Sequence, residues 1–328
     1  MKHFFNIVND KIRCNLCVHH CILKEHQLGI CGVNQNIGGK LINLVYGKPV
    51  SINIDTIEKK PLYHFLPGSH SLSIGTVGCN LQCPFCQNWH ISQTHNTDKI
   101  KYHSPEQIIK TAIDNNCRSI SYTYNEPTIF YPYAREIALL GKENNIKNVF
   151  VTNGLMAGEV ISDLKNSADA CNIDLKSPDA DFYKKMLKAP FKIFDNIIKI
   201  KATGVWFELT TLLIPGENDS TQDIRKIIDF IKEHLGTETP WHISAFHPDY
   251  KMMDKKMTTK HTLAIAYEMA LEQGLKYVYI GNIAFENNTN CSACGSILVQ
   301  RERYNIKVNK DFKGICPECN LQIPGIWD

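Results

Sequence analysis

Eleven of the thirteen cysteines in this chain fall into three short groups. This grouping indicates metal binding rather than a disulfide framework, because the count is odd and 328 residues can form a core without cross-links. Cys117 and Cys171 stand alone and are expected to belong to the packed interior. The three groups are Cys14, Cys17, Cys21 and Cys31; Cys79, Cys83 and Cys86; and Cys291, Cys294, Cys316 and Cys319.

Between the outer cysteine groups, short apolar strands alternate with amphipathic helices. This alternation of strands and helices indicates parallel βαβ units. The segment Ser104-Pro105-Glu106-Gln107 predicts the start of one helix, with a capping box. We predict an α/β fold: a partial or complete (β/α) barrel of about six parallel units, with chemistry at the carboxyl ends of its strands. The predicted strands are Ser71–Val77, Ser119–Tyr124, Asn148–Thr152, Ala170–Leu175, Val205–Ile214, Trp241–Phe246 and Tyr277–Ile280.

The expected division of the chain follows the cysteine groups. Residues 1–66 form a cysteine-rich N-terminal metal-binding region, 67–286 the barrel, and 287–328 a zinc-ribbon or rubredoxin-like tail. Within the first region, Leu41–Ile54 reads as a hairpin region with glycine turn signals. One predicted helix of the barrel starts at Ser104, and helical stretches are expected within Asp181–Ala202. The other predicted helices are Thr128–Asn144, Ala157–Lys165, Thr221–Leu235 and Thr262–Gln273.

Charge and hydropathy argue against two classes of partner. Lys+Arg number 36 and Asp+Glu 33, a net charge of +3, so no strong field attracts nucleic acid or an anionic membrane. No apolar run approaches the ~18 residues of a membrane helix, and the N-terminus lacks a signal-peptide core. We expect a cytoplasmic protein that binds neither nucleic acid nor membrane.

The central group, Cys79-x3-Cys83-x2-Cys86, follows the first barrel strand directly. Three thiolates cannot complete a tetrahedral zinc site or all corners of a four-iron cubane. Either a distant residue supplies a fourth ligand, as in a zinc knuckle or ferredoxin-like segment, or one iron is left open to bind something that is not protein.

This spacing, with Phe85 before the last cysteine, resembles the radical S-adenosylmethionine (SAM) superfamily. The resemblance implies a [4Fe-4S] cluster whose open iron binds the amino and carboxylate groups of SAM. It further implies reductive cleavage of SAM to methionine and a 5′-deoxyadenosyl radical, which abstracts hydrogen from a substrate, and a catalytic role for Cys79, Cys83 and Cys86.

The resemblance also implies SAM contacts at the other strand ends. The alternatives are a helix N-terminal carboxylate for Glu126, a turn for Asn153, a solvated strand end for Asp174 and Lys176, core packing for Ile214 and a lone surface side chain for His247. Tyr124 and Asn125 stand where glycines are common in the family. The implied cofactor-binding residues are Phe85, Glu126, Asn153, Asp174, Lys176, Ile214 and His247.

The flanking groups predict two further metal sites. In the tail, two CxxC pairs predict a structural site for zinc or iron, and Gly295 and Asn320 tolerate the positive φ that such knuckles need. In the N-terminal region, the four cysteines fit zinc and a second iron–sulfur cluster equally well, and they could also be unrelated small hydrophobic side chains.

Nearly the whole chain resembles one subfamily, the radical SAM enzyme of the AmmeMemoRadiSam system, related to pyruvate formate-lyase activating enzyme. The departures are Val18 in place of proline and Asn320 in place of a knuckle glycine. This resemblance implies a reductant of the flavodoxin or ferredoxin type and partners of the Memo-like and AMMECR-like kinds.

Two alternative functions remain open from the sequence. One is a glycyl-radical enzyme activating enzyme, and the other, of a different class, is an iron–sulfur and zinc electron-transfer or RNA-binding module. The polar residues Lys59, Lys60, Tyr63 and His64, just before the barrel, are interpreted as a solvated linker, with a substrate entry as the alternative.

Overall fold

The N-terminal residues form two small antiparallel sheets in the computed structural model, which describes residues 4–302 and 305–328. A hairpin over residues 34–43 turns at Gly38 and Gly39. Their φ angles of 59° and 70° suit a two-residue turn, and residues with a side chain disfavour such positive values. The turn predicted from Gly38 and Gly39 is therefore confirmed, whereas the hairpin spans residues 34–43 and not the predicted Leu41–Ile54. The strands are β1 (Phe5–Val8), β2 (Lys11–Cys14), β3 (Ile22–Leu23), β4 (Asn34–Ile37) and β5 (Lys40–Asn43).

An eight-stranded sheet forms the centre of the molecule, and its strands lie side by side in chain order. The first strand pairs antiparallel with the second, and all later pairings are parallel. The strands are β6 (Ser51–Thr56), β7 (His70–Gly75), β8 (Ser119–Tyr122), β9 (Lys147–Thr152), β10 (Ala170–Asp174), β11 (Trp206–Leu213), β12 (Trp241–Ala245) and β13 (Val278–Gly281).

Because β6 and β13 are the two edges of this sheet within the described chain, the sheet is open and corresponds to the partial form of the predicted barrel. The seven parallel strands match the seven predicted from the sequence. The strand predicted at Ser119–Tyr124 ends earlier, because Tyr124 has a φ of 71° that breaks the extended backbone.

Helices cover the parallel sheet. The predicted capping box is confirmed: Ser104 Oγ accepts from the N–H of Gln107, whose side chain accepts in return from the N–H of Ser104.

Short 3-10 helices cover Ile57–Lys59 and Pro127–Phe130, and short π-helices cover Phe182–Leu187 and Ile231–Leu235. The helices are α1 (Trp89–Ser92), α2 (Pro105–Asp114), α3 (Tyr131–Glu143), α4 (Gly158–Ser167), α5 (Ile193–Ala202), α6 (Thr221–Phe230) and α7 (Lys260–Glu272). No helix of the described residues is long and apolar enough to cross a membrane.

The tail adds a three-stranded antiparallel sheet of β14 (Thr289–Asn290), β15 (Ile297–Glu302) and β16 (Asn305–Val308). Its apolar side chains share a core with the last barrel strand, since Tyr277 and Tyr279 pack with Leu298, Val299 and Phe312. The tail therefore packs against the barrel.

Candidate active site and flanking metal centres

The cysteine triad lies in the loop after β7, at the carboxyl edge of the sheet. Gly78, just before Cys79, has a φ of 86°, and a Cβ there would lie 2.6 Å from the carbonyl oxygen of Cys31. The loop therefore requires glycine at this point. Asn125 holds the loop against the end of β8, because its amide donates to Thr76 Oγ1 (3.1 Å) and to the Gly78 carbonyl (2.8 Å).

The three thiols border a cavity of about 270 Å³. Burial raises the pKa of Cys83 to about 12, against the partial effect of the Lys176 ammonium. Burial likewise raises the pKa of Cys79, with Cys83 adding to the effect. The free thiols of Cys79 and Cys83 are therefore protonated, and iron that coordinates them must displace those protons.

Seven of the predicted site residues line this one cavity: Cys79, Cys83, Cys86, Glu126, Asn153, Asp174 and Lys176. The structure thus brings the ends of four parallel strands together around the triad. Three predicted contacts lie outside the cavity lining: Phe85 and Ile214 are buried in the core, and His247 is exposed with Gln87 at 3.3 Å from its ring.

Glu126 already has internal hydrogen-bond partners. Its Oε1 accepts from the N–H of Thr128 (3.0 Å) and the hydroxyl of Thr152 (2.7 Å), and its Oε2 accepts from the N–H of Asn153 (2.7 Å). Burial raises the pKa of Glu126, and these hydrogen bonds oppose the rise. The carboxylate therefore fixes the β8 and β9 ends relative to each other, and Oε2 keeps acceptor capacity for a ligand.

Asp174 and Lys176 form an ion pair at the end of β10, with Nζ 2.8 Å from Oδ2. The Asp174 carboxylate raises the pKa of Lys176, although burial opposes it, and Lys176 stays charged. Its Nζ lies 5.9 Å from the ring centroid of Phe85. Phe85 therefore packs beneath the lysine, which places a permanent cation beside the triad.

The interpretation of residues 59–64 as a solvated linker is wrong for two of them. Lys60 is 3% exposed, binds Asp55 at 2.7 Å and lines the triad cavity with its neighbour Tyr124. His64 is fully buried, with one ring nitrogen 2.7 Å from the Pro324 carbonyl and the other 2.7 Å from the Tyr279 hydroxyl. No local pattern in the sequence distinguishes these buried side chains from exposed ones.

A second cavity, of about 700 Å³, adjoins the first, since Lys59 lines both. It lies between the end of β13, residues 58–63 and the tail. Glu58 and Arg301 line it, and the Oε2 of Glu58 and the Nε of Arg301 are buried without a hydrogen-bond partner among the described residues. The two side chains form an ion pair, with Nε of Arg301 3.9 Å from Oε1 of Glu58, so a buried pair of opposite charges borders this cavity.

The four tail cysteines bring their sulfurs close together. All four sulfurs lie within 4.8 Å of one another, with Cys291 and Cys319 at 3.5 Å and Cys294 and Cys316 at 3.6 Å. A tetrahedron of Zn–S bonds of about 2.3 Å has edges of about 3.8 Å, so the set fits a single ion. As predicted, Gly295 and Asn320 have positive φ.

The comparisons with known proteins agree with this geometry. The family model described as Radical SAM superfamily matches residues 73–231. An uncharacterized protein of Methanocaldococcus jannaschii is 44% identical over 311 residues, covering 93% of this chain and 92% of that protein. The pyruvate formate-lyase-activating enzyme of Clostridium pasteurianum is 26% identical over 194 residues, covering 54% of this chain and 80% of its own.

Among solved structures, a radical SAM methyltransferase from Sphaerobacter thermophilus shares the fold. Its TM-score is 0.52 at 15% identity, and the match covers 73% of this chain and 72% of that one. Streptococcus suis SuiB bound to its precursor peptide has the same TM-score at 16% identity, covering 70% of this chain and 51% of SuiB. These likenesses support the fold alone.

Proposed function

Because this chain belongs to the radical SAM superfamily and is an enzyme of that group, we propose that it generates a 5′-deoxyadenosyl radical and uses it to abstract hydrogen from a substrate. The observation behind the proposal is the single cavity in which the triad meets the polar ends of three further strands. When bound, a [4Fe-4S] cluster supplies one electron to the sulfonium of SAM.

The residues of the cavity fit both groups. Cys79, Cys83 and Cys86 offer three thiolates and leave one iron for a ligand that is not protein. In our proposal the free acceptor capacity of Glu126 takes the ammonium of SAM, and Lys176 takes its carboxylate, each as a charge-assisted hydrogen bond. Asn153 would orient the same end of SAM, while the exposed His247 would meet its adenine. Ile214 is fully buried in the core, so we do not propose a contact between its side chain and SAM.

A direct assay tests this function. The protein is reconstituted with iron and sulfide without oxygen, reduced with dithionite, given SAM and assayed for 5′-deoxyadenosine. We expect product from the native chain and from Cys117→Ala, a matched cysteine outside all three groups, and none from Cys83→Ala. Full activity of Cys83→Ala would refute the proposal.

We assign the substrate to the second cavity, which adjoins the triad cavity at Lys59. Ser244 lines it from β12. Ser244→Leu should narrow the space and abolish any rise in 5′-deoxyadenosine caused by a metabolite fraction, without changing the basal yield. A rise in this variant equal to that of the native chain would contradict the assignment.

A glycyl-radical enzyme activating enzyme is the second candidate function. It is favoured by the activating enzyme of Clostridium pasteurianum among the relatives and by the Asp174–Lys176 pair. We further propose a flavodoxin or ferredoxin as reductant and Memo-like and AMMECR-like proteins as partners. Co-expression with each partner, followed by purification, tests these pairings; a partner that never co-purifies would count against its pairing.

A further inference from the structure

The four N-terminal cysteines converge on one buried position. Cys14, Cys17 and Cys31 are each less than a tenth exposed. The sulfurs of Cys21 and Cys31 lie 3.6 and 3.7 Å from the position of a Cβ built on Gly29. The backbone N–H of Cys14 donates to the carbonyl oxygen of Cys21 at 2.9 Å, and Cys17 follows Cys14 by three residues, so the backbone holds the cysteines of this set close together.

Amide hydrogens point at two of these sulfurs. The N–H of Ile30 donates to Cys21 Sγ at 3.5 Å, and the side-chain amide of Asn34 donates to Cys31 Sγ at 3.4 Å. Such donors stabilise thiolate charge and are typical of metal–thiolate sites. The N-terminal set is therefore a built site and not a chance cluster of small apolar residues.

The distances between the sulfurs distinguish the N-terminal site from the tail site. Among the described residues, only the tail set has all its sulfurs within 4.8 Å, as one tetrahedral ion requires. The N-terminal set and the central triad both fall outside that criterion. Wider spacing suits a cluster, in which each thiolate binds a different iron atom.

The N-terminal site also contacts the loop that carries the triad. The carbonyl oxygen of Cys31 lies against Gly78, next to Cys79. A ring nitrogen of His19, close to Cys17 in the chain, lies 2.9 Å from the carbonyl oxygen of Asn80. The two sets of cysteines are therefore joined by direct contacts on both sides of Cys79.

We propose that Cys14, Cys17, Cys21 and Cys31 bind a second iron–sulfur cluster, which passes electrons to the triad site. A low-potential one-electron carrier is oxidised, the second cluster takes up its electron, and the same electron moves to the triad site, so the second cluster returns to its starting state. The transfer step rests on the proposed function, whereas the presence of the cluster does not.

The presence of the cluster is tested without SAM. A triple variant, Cys79→Ala with Cys83→Ala and Cys86→Ala, is reconstituted with iron and sulfide, and its iron, acid-labile sulfide and zinc are measured alongside its Mössbauer spectrum. We expect three to four irons with matching sulfide, and their loss when Cys17→Ser and Cys31→Ser are added. Zinc in place of iron, with no acid-labile sulfide, would overturn the proposal.

The contact between the sites is tested by electron paramagnetic resonance of the fully reduced protein. Two neighbouring paramagnetic clusters broaden each other's signals and relax faster. We expect the native spectrum to differ from the sum of the spectra of the triad variant and the Cys17→Ser, Cys31→Ser variant. A native spectrum equal to that sum would contradict the close approach of the two clusters on which the transfer depends, whatever the outcome of the 5′-deoxyadenosine assay.

Discussion

The carboxylate of Glu126 accepts a hydrogen bond from the backbone N–H of Asn153 at 2.7 Å, and this contact joins the ends of β8 and β9. Both residues line the triad cavity. Glu126, which the sequence resemblance assigns to SAM binding, thus also holds the ends of two strands together. We refer to these two roles as binding and bracing, and each can be measured separately.

The substitution Glu126→Gln should weaken both the contact between the ends of β8 and β9 and the binding of SAM. The amide NH₂ of glutamine would face an N–H or hydroxyl donor, at a cost of about 1–3 kcal/mol in the free energy of unfolding. Loss of the negative charge should lower the affinity for SAM at least about tenfold, or 1.4 kcal/mol. Denaturant titration and calorimetry measure the two effects, with Glu143→Gln on an exposed helix position as the control.

A SAM derivative without its amino group separates binding from bracing. If Glu126 takes the ammonium, the native protein loses more affinity on going from SAM to the derivative than Glu126→Gln does. An equal loss of affinity for the derivative in both proteins would leave Glu126 with the bracing role alone.

Lys176→Met should make the central cluster harder to reduce. The lysine is a partly buried cation whose charge acts on Cys83, and a nearby positive charge favours the reduced, more negative state of the cluster. We expect the reduction potential to fall by tens of millivolts, measured by redox titration of the reconstituted protein. Lys184→Met, on an exposed position nearby, should leave the potential unchanged, and equal shifts in the two variants would contradict the explanation.

Removal of the metal that we propose for the tail cysteines should loosen the tail and its shared core. The tail packs on Tyr277 and Tyr279, so its loss exposes the last barrel strand. We expect a chelator, or Cys316→Ser, to lower the melting temperature by about 5 °C or more. Cys117→Ala serves as the cysteine control, and an unchanged melting temperature with a metal-free tail would show that the tail folds without the ion.

Local chemistry explains which parts of this structure could be predicted from the sequence. The helix at Pro105–Asp114 follows from a capping box that lies within four residues. Asp174 ends β10 and Lys176 follows two residues later, so one short segment brings both charged side chains to the cavity. Each prediction depends on neighbours in the chain, so the residue pattern alone was sufficient.

Contacts between distant parts of the chain could not be predicted in this way. The amide of Asn153 donates to Asn80 Oδ1 at 2.8 Å, across 73 residues. Glu208 on β11 lies 2.6 Å from His242 and accepts from the N–H of His64 at 2.7 Å. These pairs follow no period along the sequence, and only the packing of the sheet brings them together. For the same reason the burial of Lys60 and His64 was missed.

The buried His64 should make the protein less stable in acid. Its Nδ1 donates to the Pro324 carbonyl, which can only accept, so its Nε2 accepts from the Tyr279 hydroxyl. Burial lowers the pKa of His64 from 6.5 to about 4, although Glu208 acts in the opposite direction. The folded chain therefore keeps this imidazole neutral at a pH where the unfolded chain protonates it.

The sign follows from proton binding. Between pH 6.5 and 4 the unfolded state holds more protons, so the free energy of unfolding should fall as the pH is lowered, by about 3 kcal/mol from His64 alone. Glu208, whose pKa in the folded state is below its usual value, reinforces the loss as the pH falls below 4.5. Urea titrations at several pH values in this range give the free energy of unfolding at each pH. The slope of this free energy against pH should be shallower for His64→Gln than for the native chain or the exposed control His261→Gln. If all three slopes coincide, His64 is not the group whose protonation destabilises the fold.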